Sequence, residues 1–193
     1  MKNAVFSSSD IRDAFVVSDT HFGHANIIRF TNRPFDDIDE MDAALVDNWN
    51  AVVRPQDLVF HLGDFTLGGI GEARKYFVQL NGDIRVLNNF WHHDKRWINH
   101  SALLVSKSGF NVKLLPPIVV LEIERPGERY PLAVVLSHYP QAEWDRKHHG
   151  AIHLFGHSHG TYSPPHGDLA ADVGVDVCGY APIMIKQAIG RFK

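Results

Sequence analysis

Asp57-Leu58-Val59-Phe60-His61-Leu62-Gly63-Asp64 decides the fold. It is an apolar run of strand length, then a glycine that lets the backbone turn sharply, then a carboxylate. The plan recurs at four other places. Residues 14–18 end in Asp19-Thr20-His21, and residues 84–87 end in Asn88-Asn89. Residues 133–137 end in His138, and residues 151–155 end in Gly156-His157-Ser158-His159. Short apolar runs without polar alternation suit strands buried on both faces of a parallel sheet. In an open α/β fold, ligands bind beyond the carboxyl ends of such strands. All five groups fall at strand ends, and this shared placement is stronger evidence than any one motif. The expectation is that Asp64 bridges two metal ions while the other four strand ends supply the remaining ligands.

The intervening sequence supplies the helices. From Ile38 to Val53, Ile38, Met41, Leu45, Val46, Trp49 and Val52 recur near helical spacing. Asp36, Asp37, Asp39 and Glu40 suit the amino end of that helix, and Pro55 stops it. Residues 72–80 and 95–107 also read as helical, so the first half alternates β-α-β-α-β-α, the pattern of a parallel sheet covered by helices. The pattern then changes. Residues 118–124 and 130–136 read as a hairpin around Arg125-Pro126-Gly127-Glu128. Residues 171–177 form a further apolar strand, and residues 181–192 a short helix or a strand followed by a helix. His153 faces inward by alternation, His148-His149 belong to a solvated loop, and His61 packs beside the site or in the core. His24, Asn26 and Arg33 lie just past the first ligands, within reach of a phosphate. Arg33 suits a structural salt bridge equally well.

The bulk numbers narrow the class. A chain of 193 residues is expected to be one domain without a separate cap. A net charge of -3 argues against a general polyanion-binding surface and against extended nucleic acid as a partner. It does not exclude a small phosphorylated substrate held through metals, which carry their own charge. The single cysteine, Cys178, fits a reducing, cytoplasmic compartment. No apolar run approaches the ~20 residues of a membrane span. Thirteen histidines, scattered along the chain, point to a metal site rather than a tag. Asp19 and His21, two apart on an extended strand end, would point the same way and reach one ion. Carboxylate, amide and neutral imidazole donors suit Mn, Fe, Zn or Co better than Ca.

Asp19-x-His21, Gly63-Asp64, the Asn88-Asn89…His93-Asp94 stretch, His138 and Gly156-His157-x-His159 resemble, in order, the five signature blocks of the calcineurin-like metallophosphoesterase superfamily. The resemblance runs from about Phe15 to His159. It implies an α/β fold, a four-layer α/β/β/α sandwich of two mixed sheets flanked by helices. It also implies a dinuclear centre, with Mn favoured. Asp19, His21, Asp64 and His159 would hold the first ion; Asp64, Asn89, His138 and His157 would hold the second. One block departs from the family pattern. Asn88 stands where the family has glycine, and Phe90-Trp91-His92 intervene before His93-Asp94. Asn88 is therefore the alternative ligand to Asn89. The catalytic proton donor would be His93, or His92 if the inserted loop folds differently.

The implied activity is hydrolysis of a small phosphoester by a metal-bridging hydroxide, with a phosphodiester, possibly a nucleotide, as the favoured substrate. The alternatives are a phosphomonoesterase and a non-catalytic scaffold of the same fold.

Overall fold

The computed structural model describes residues 4–7, 9–89 and 93–192. The first apolar runs become three parallel neighbours: β2 (Phe15–Val17), β3 (Leu58–His61) and β4 (Asp83–Leu87), numbered after a preceding β1 (Ala4–Ser7). Between them run α1 (Ala25–Phe30), α2 (Ile38–Val52) and α3 (Ile70–Phe77). Helix α2 starts where the sequence places it. Asp37 caps it by accepting the Glu40 amide at 2.9 Å, leaving one fewer unsatisfied donor in the first turn. The expected helix over 95–107 is instead two 3-10 segments, His93–Arg96 and Ile98–Leu103. Here the Trp97 indole donates to Asp94, which also accepts from the Phe65 amide of the neighbouring loop, and this sets the local path.

The second half follows with β5 (Lys113–Leu115), the antiparallel pair β6 (Ile118–Ile123) and β7 (Leu132–Ser137), β8 (Ile152–Phe155), β9 (Ala170–Asp172), β10 (Ile183–Met184) and α4 (Ile185–Gly190). One sheet has the order β10-β2-β3-β4-β5 and the other β1-β6-β7-β8-β9. Each is mixed. The single antiparallel pairing is β10 with β2 in the first sheet and β6 with β7 in the second. The period of 2 divides the side chains of the first sheet. Val16, Phe60 and Leu87 face Leu121, Val134, Leu136 and Leu154 of the opposing sheet. Phe15, Val17, Val59 and Val86 face Met41, Leu45, Trp49 and Phe77 of the helices. Each large apolar side chain so buried contributes about 1.5–3 kcal/mol.

The chain is thus an α/β sandwich of two stacked mixed sheets with helices against its outer side. The covering is unequal. Helices α2 and α3 pack on the first sheet, whereas on the second Trp144 clusters with Val120, Ala133, Val135 and Phe155. The expected long strand over 171–177 is shorter, because it changes sheets. The Val173 amide donates to Phe155 of β8 at 2.8 Å, and the Val175 amide donates to Ser18 beyond β2 at 3.0 Å. This crossing ties the ends of both sheets together where the candidate ligands lie. No helix among the described residues is long and apolar enough to cross a membrane.

Candidate metal centre

Three of the strand ends, those of β2, β3 and β8, turn out of their sheets through left-handed backbone. Eight non-glycine residues among those described have positive φ, and five of them are expected ligands. These are Asp19 (60°), His21 (52°), Asp64 (56°), His157 (66°) and His159 (47°). This region is unfavourable for residues with a Cβ, by about 1–2 kcal/mol each. Such strain concentrates where function fixes the geometry. It also corrects the reason given for Asp19 and His21. They do converge, but through two left-handed residues rather than the pleat of an extended strand. Thr20 between them turns away, its hydroxyl donating to the Phe65 carbonyl at 3.0 Å.

Three groups of donors result, each with its ligand atoms within 4.8 Å of one another: Asp19, His21 and His159; Asp64, His138 and His157; and His21, Asp64 and His93. Asp64 belongs to two of these groups and adjoins His21 of the remaining one. Its Oδ2 is 3.6 Å from Nε2 of His21 and 3.6 Å from Nε2 of His138. These buried His/Asp clusters could hold a metal ion. The two amides sit at the end of β4, where the Asn88 N–H donates to Leu115 at 2.9 Å. Oδ1 of Asn88 and Nδ2 of Asn89 are both buried without a hydrogen-bond partner among the described residues. His92 and Trp91 lie outside the described residues.

Much of the site's support was not legible as function. Arg33 does not reach toward a substrate. It is buried behind the ligands, donating to both oxygens of Asp176 at 2.9 Å and to the carbonyls of Asp19 and Thr20 at 2.7 and 2.9 Å. Asp176 also contacts Nδ1 of His159 at 2.7 Å. Asp172 accepts from the Ser158 hydroxyl and the Gly160 amide, holding the 157–160 loop. Asp94 accepts from the amides of Phe65 and Thr66 and from the Trp97 indole, fixing the turn after Asp64. His61 is a core residue. Its Nδ1 accepts the Gly63 amide at 3.2 Å, so its Nε2–H is left to donate to Thr20 at 3.1 Å. The two aspartates of Asp172-Val-Gly-Val-Asp176 were readable only as residues within an apolar strand, since their role depends on the change of sheet.

The two sheets come together at Gly156. A Cβ there would lie 2.2 Å from Ser18 Oγ and 2.4 Å from Asp19 Oδ2, so only glycine fits. The same approach brings the His157 amide to Asp19 Oδ2 at 2.8 Å.

The electrostatics suit a bound cation. Burial pushes the Asp19 carboxyl up to about 8, against the pull of His159, and raises Asp64 as well. Burial holds His21 well below its ordinary value, in the neutral form a metal ligand needs. Oδ1 of Asp19 and both ring nitrogens of His21 are buried without a hydrogen-bond partner among the described residues. Buried polar atoms are normally satisfied, and a divalent ion would satisfy these.

The mouth of the site is lined by rings. His93 has 46% of its side chain exposed, with Nε2 3.9 Å from Asp64 Oδ2, and its amide donates to Asp64 Oδ1 at 3.2 Å. His24 lies 5.6 Å from His21 and 6.2 Å from His93 between ring centres. Tyr139 packs on His138 and His157. His153 is buried between Val135 and Gln141, and His148 stacks on His149 in an exposed turn, both away from the centre. A cavity of about 730 Å³ lined by Glu122, Arg125, Tyr130 and Arg146 shares no residue with these clusters.

No family model matches the chain. It is 29% identical over 182 residues to the uncharacterized protein MJ1445 of Methanocaldococcus jannaschii, covering 91% of this chain and 88% of that one. A 56-residue stretch is 38% identical to the Gene 66 protein of Mycobacterium phage L5, covering 29% of this chain and 27% of that protein. The crystal structure of the protein of unknown function AQ665 from Aquifex aeolicus superposes with a TM-score of 0.66 at 22% identity, over 93% of this chain and 98% of that one. That likeness supports the fold.

Proposed function

We propose that the chain is a phosphoesterase with two divalent ions, Mn favoured, that hydrolyses small phosphodiesters and resembles the calcineurin-like metallophosphoesterases. The observation that carries the reading is the left-handed backbone at five ligands from three strand ends, converging around one shared carboxylate, Asp64. Asp19, His21, Asp64 and His159 would hold the first ion. Asp64, His138, His157 and Asn89 would hold the second. Rotating the Asn89 amide exchanges its buried unpartnered Nδ2 for an acceptor oxygen. When bound, two such ions lower the pKa of water to give a nucleophile near neutral pH and offset charge on the phosphoryl oxygens.

The protein's own groups do the rest. His93, exposed and fixed through its backbone to Asp64, donates a proton to the leaving oxygen, a contribution typically of about 10²–10⁴-fold. Asp94 anchors the turn that carries Asp64 and so sets the position of His93 beside it. Arg33 supports the diester reading. Its donors are engaged by Asp176 and two carbonyls, which leaves it unable to clamp the extra charge of a monoester. The open rim of His93, His157 and Tyr139 leaves room for a second ester group.

The test compares bis(p-nitrophenyl) phosphate with p-nitrophenyl phosphate in the presence of Mn. Preference for the diester is expected, and preference for the monoester would overturn the diester reading. Fewer than one ion bound per chain, with no ester hydrolysed, would leave a scaffold.

A further inference from the structure

We propose that Arg33 and Asp176 are positioning residues that lock His159 in its Nδ1–H tautomer and present Nε2 to the first ion. The inference rests on the reading of His159 as a ligand of that ion. A neutral imidazole can offer only one nitrogen to a metal, and the hydrogen bond made by the other nitrogen decides which. Nδ1 of His159 lies 2.7 Å from Asp176 Oδ2. An ionised carboxylate only accepts, so Nδ1 carries the proton. Asp176 stays ionised there. The buried Arg33 guanidinium, donating to both its oxygens at 2.9 Å, balances that charge.

Arg33 makes this arrangement rigid. Its side chain is fully buried, and its planar fork holds both Asp176 oxygens at 2.9 Å. The same guanidinium donates to the carbonyls of Asp19 and Thr20 at 2.7 and 2.9 Å. One group therefore fixes the spacing between the end of β2, which carries Asp19 and His21, and the 3-10 turn Val175–Val177, which orients His159. A lysine could not do this, because a point charge cannot reproduce the bidentate fork.

The test titrates metal-stripped wild type, Asp176→Asn, Arg33→Lys and His159→Ala with Mn by calorimetry. Asp176→Asn is expected to weaken one Mn-binding step by about 10–100-fold, with His159→Ala weakening the same step at least as much and Arg33→Lys less. If His159→Ala weakens binding and Asp176→Asn does not, the positioning role is overturned and the metal centre stands. If His159→Ala binds Mn as wild type does, the reading of His159 as a ligand fails, and this inference fails with it. A second measurement needs no variant. Long-range ¹H–¹⁵N correlation of the Zn-loaded wild type is expected to show His159 protonated at Nδ1. A proton on Nε2 would overturn the proposal.

Discussion

Asp19, His21 and His159 form one half of the proposed centre, His138 and His157 the other, and the two halves are held by different means. Behind the first lies a buried guanidinium–carboxylate pair that fixes a backbone and an imidazole at once. In the second, the His138 ring is fully buried at the end of β7, while His157 is exposed and packs on the rings of His138 and Tyr139. Asp64 is shared, and Gly156 is where the two approach. The difference shows two ways to hold a ligand. A charged network fixes direction through hydrogen bonds, whereas a ring packed on rings is fixed by shape and keeps access to solvent.

Asp64→Asn would erase the comparison, because a neutral amide bridges two cations poorly. Both halves should lose their ions and turnover should fall to background, read by metal analysis and diester hydrolysis. Retained turnover would remove Asp64 from the bridge. His93→Ala isolates the proposed proton donor between the halves. It should keep both ions but lose about 10²–10⁴-fold in rate, most with poor leaving groups. Lost metal instead would make His93 a ligand, an option the third donor group leaves open. Gly156→Ala attacks the seam. With a Cβ 2.4 Å from Asp19 Oδ2 it should cost about 1–3 kcal/mol in urea unfolding and weaken binding in the first half more than in the second.

How far the sequence could foresee this follows from what each feature depends on. The strand ends were legible because a buried strand, a turn and a candidate ligand are consecutive in the chain. Helix α2 was legible because its cap and apolar face are local. Arg33 and Asp176 were not, since 143 positions separate them and only folding makes them partners. The convergence of Asp19 and His21 was foreseen for the wrong reason, because the pleat rule says nothing of left-handed residues. The shortened strand at Ala170–Asp172 was obscured by an apolar run that serves two sheets in succession.

The smallest expected effect concerns pH in the metal-free protein. Asp19 and Asp94 have folded values raised to about 8 and about 7 by burial, and His159 is also raised. Stability from groups so raised is lost as pH climbs through the folded values. Buried His21 and His153, held below 6.5, act in the opposite sense only at lower pH. The melting temperature should therefore fall by a few degrees between pH 6.5 and 8. Mn should reduce the fall, and Asp19→Asn should reduce it in the metal-free protein. A flat metal-free profile would mean that the first half carries no charge strain.

Electron paramagnetic resonance of the Mn-loaded protein, with metal content measured on the same sample, tests the shared carboxylate most directly. Two ions per chain are expected, with the exchange-coupled spectrum of a pair held ~3.5–4 Å apart, and the coupling should vanish in Asp64→Asn. One ion per chain, or two with uncoupled spectra in the wild type, would contradict a centre built around Asp64.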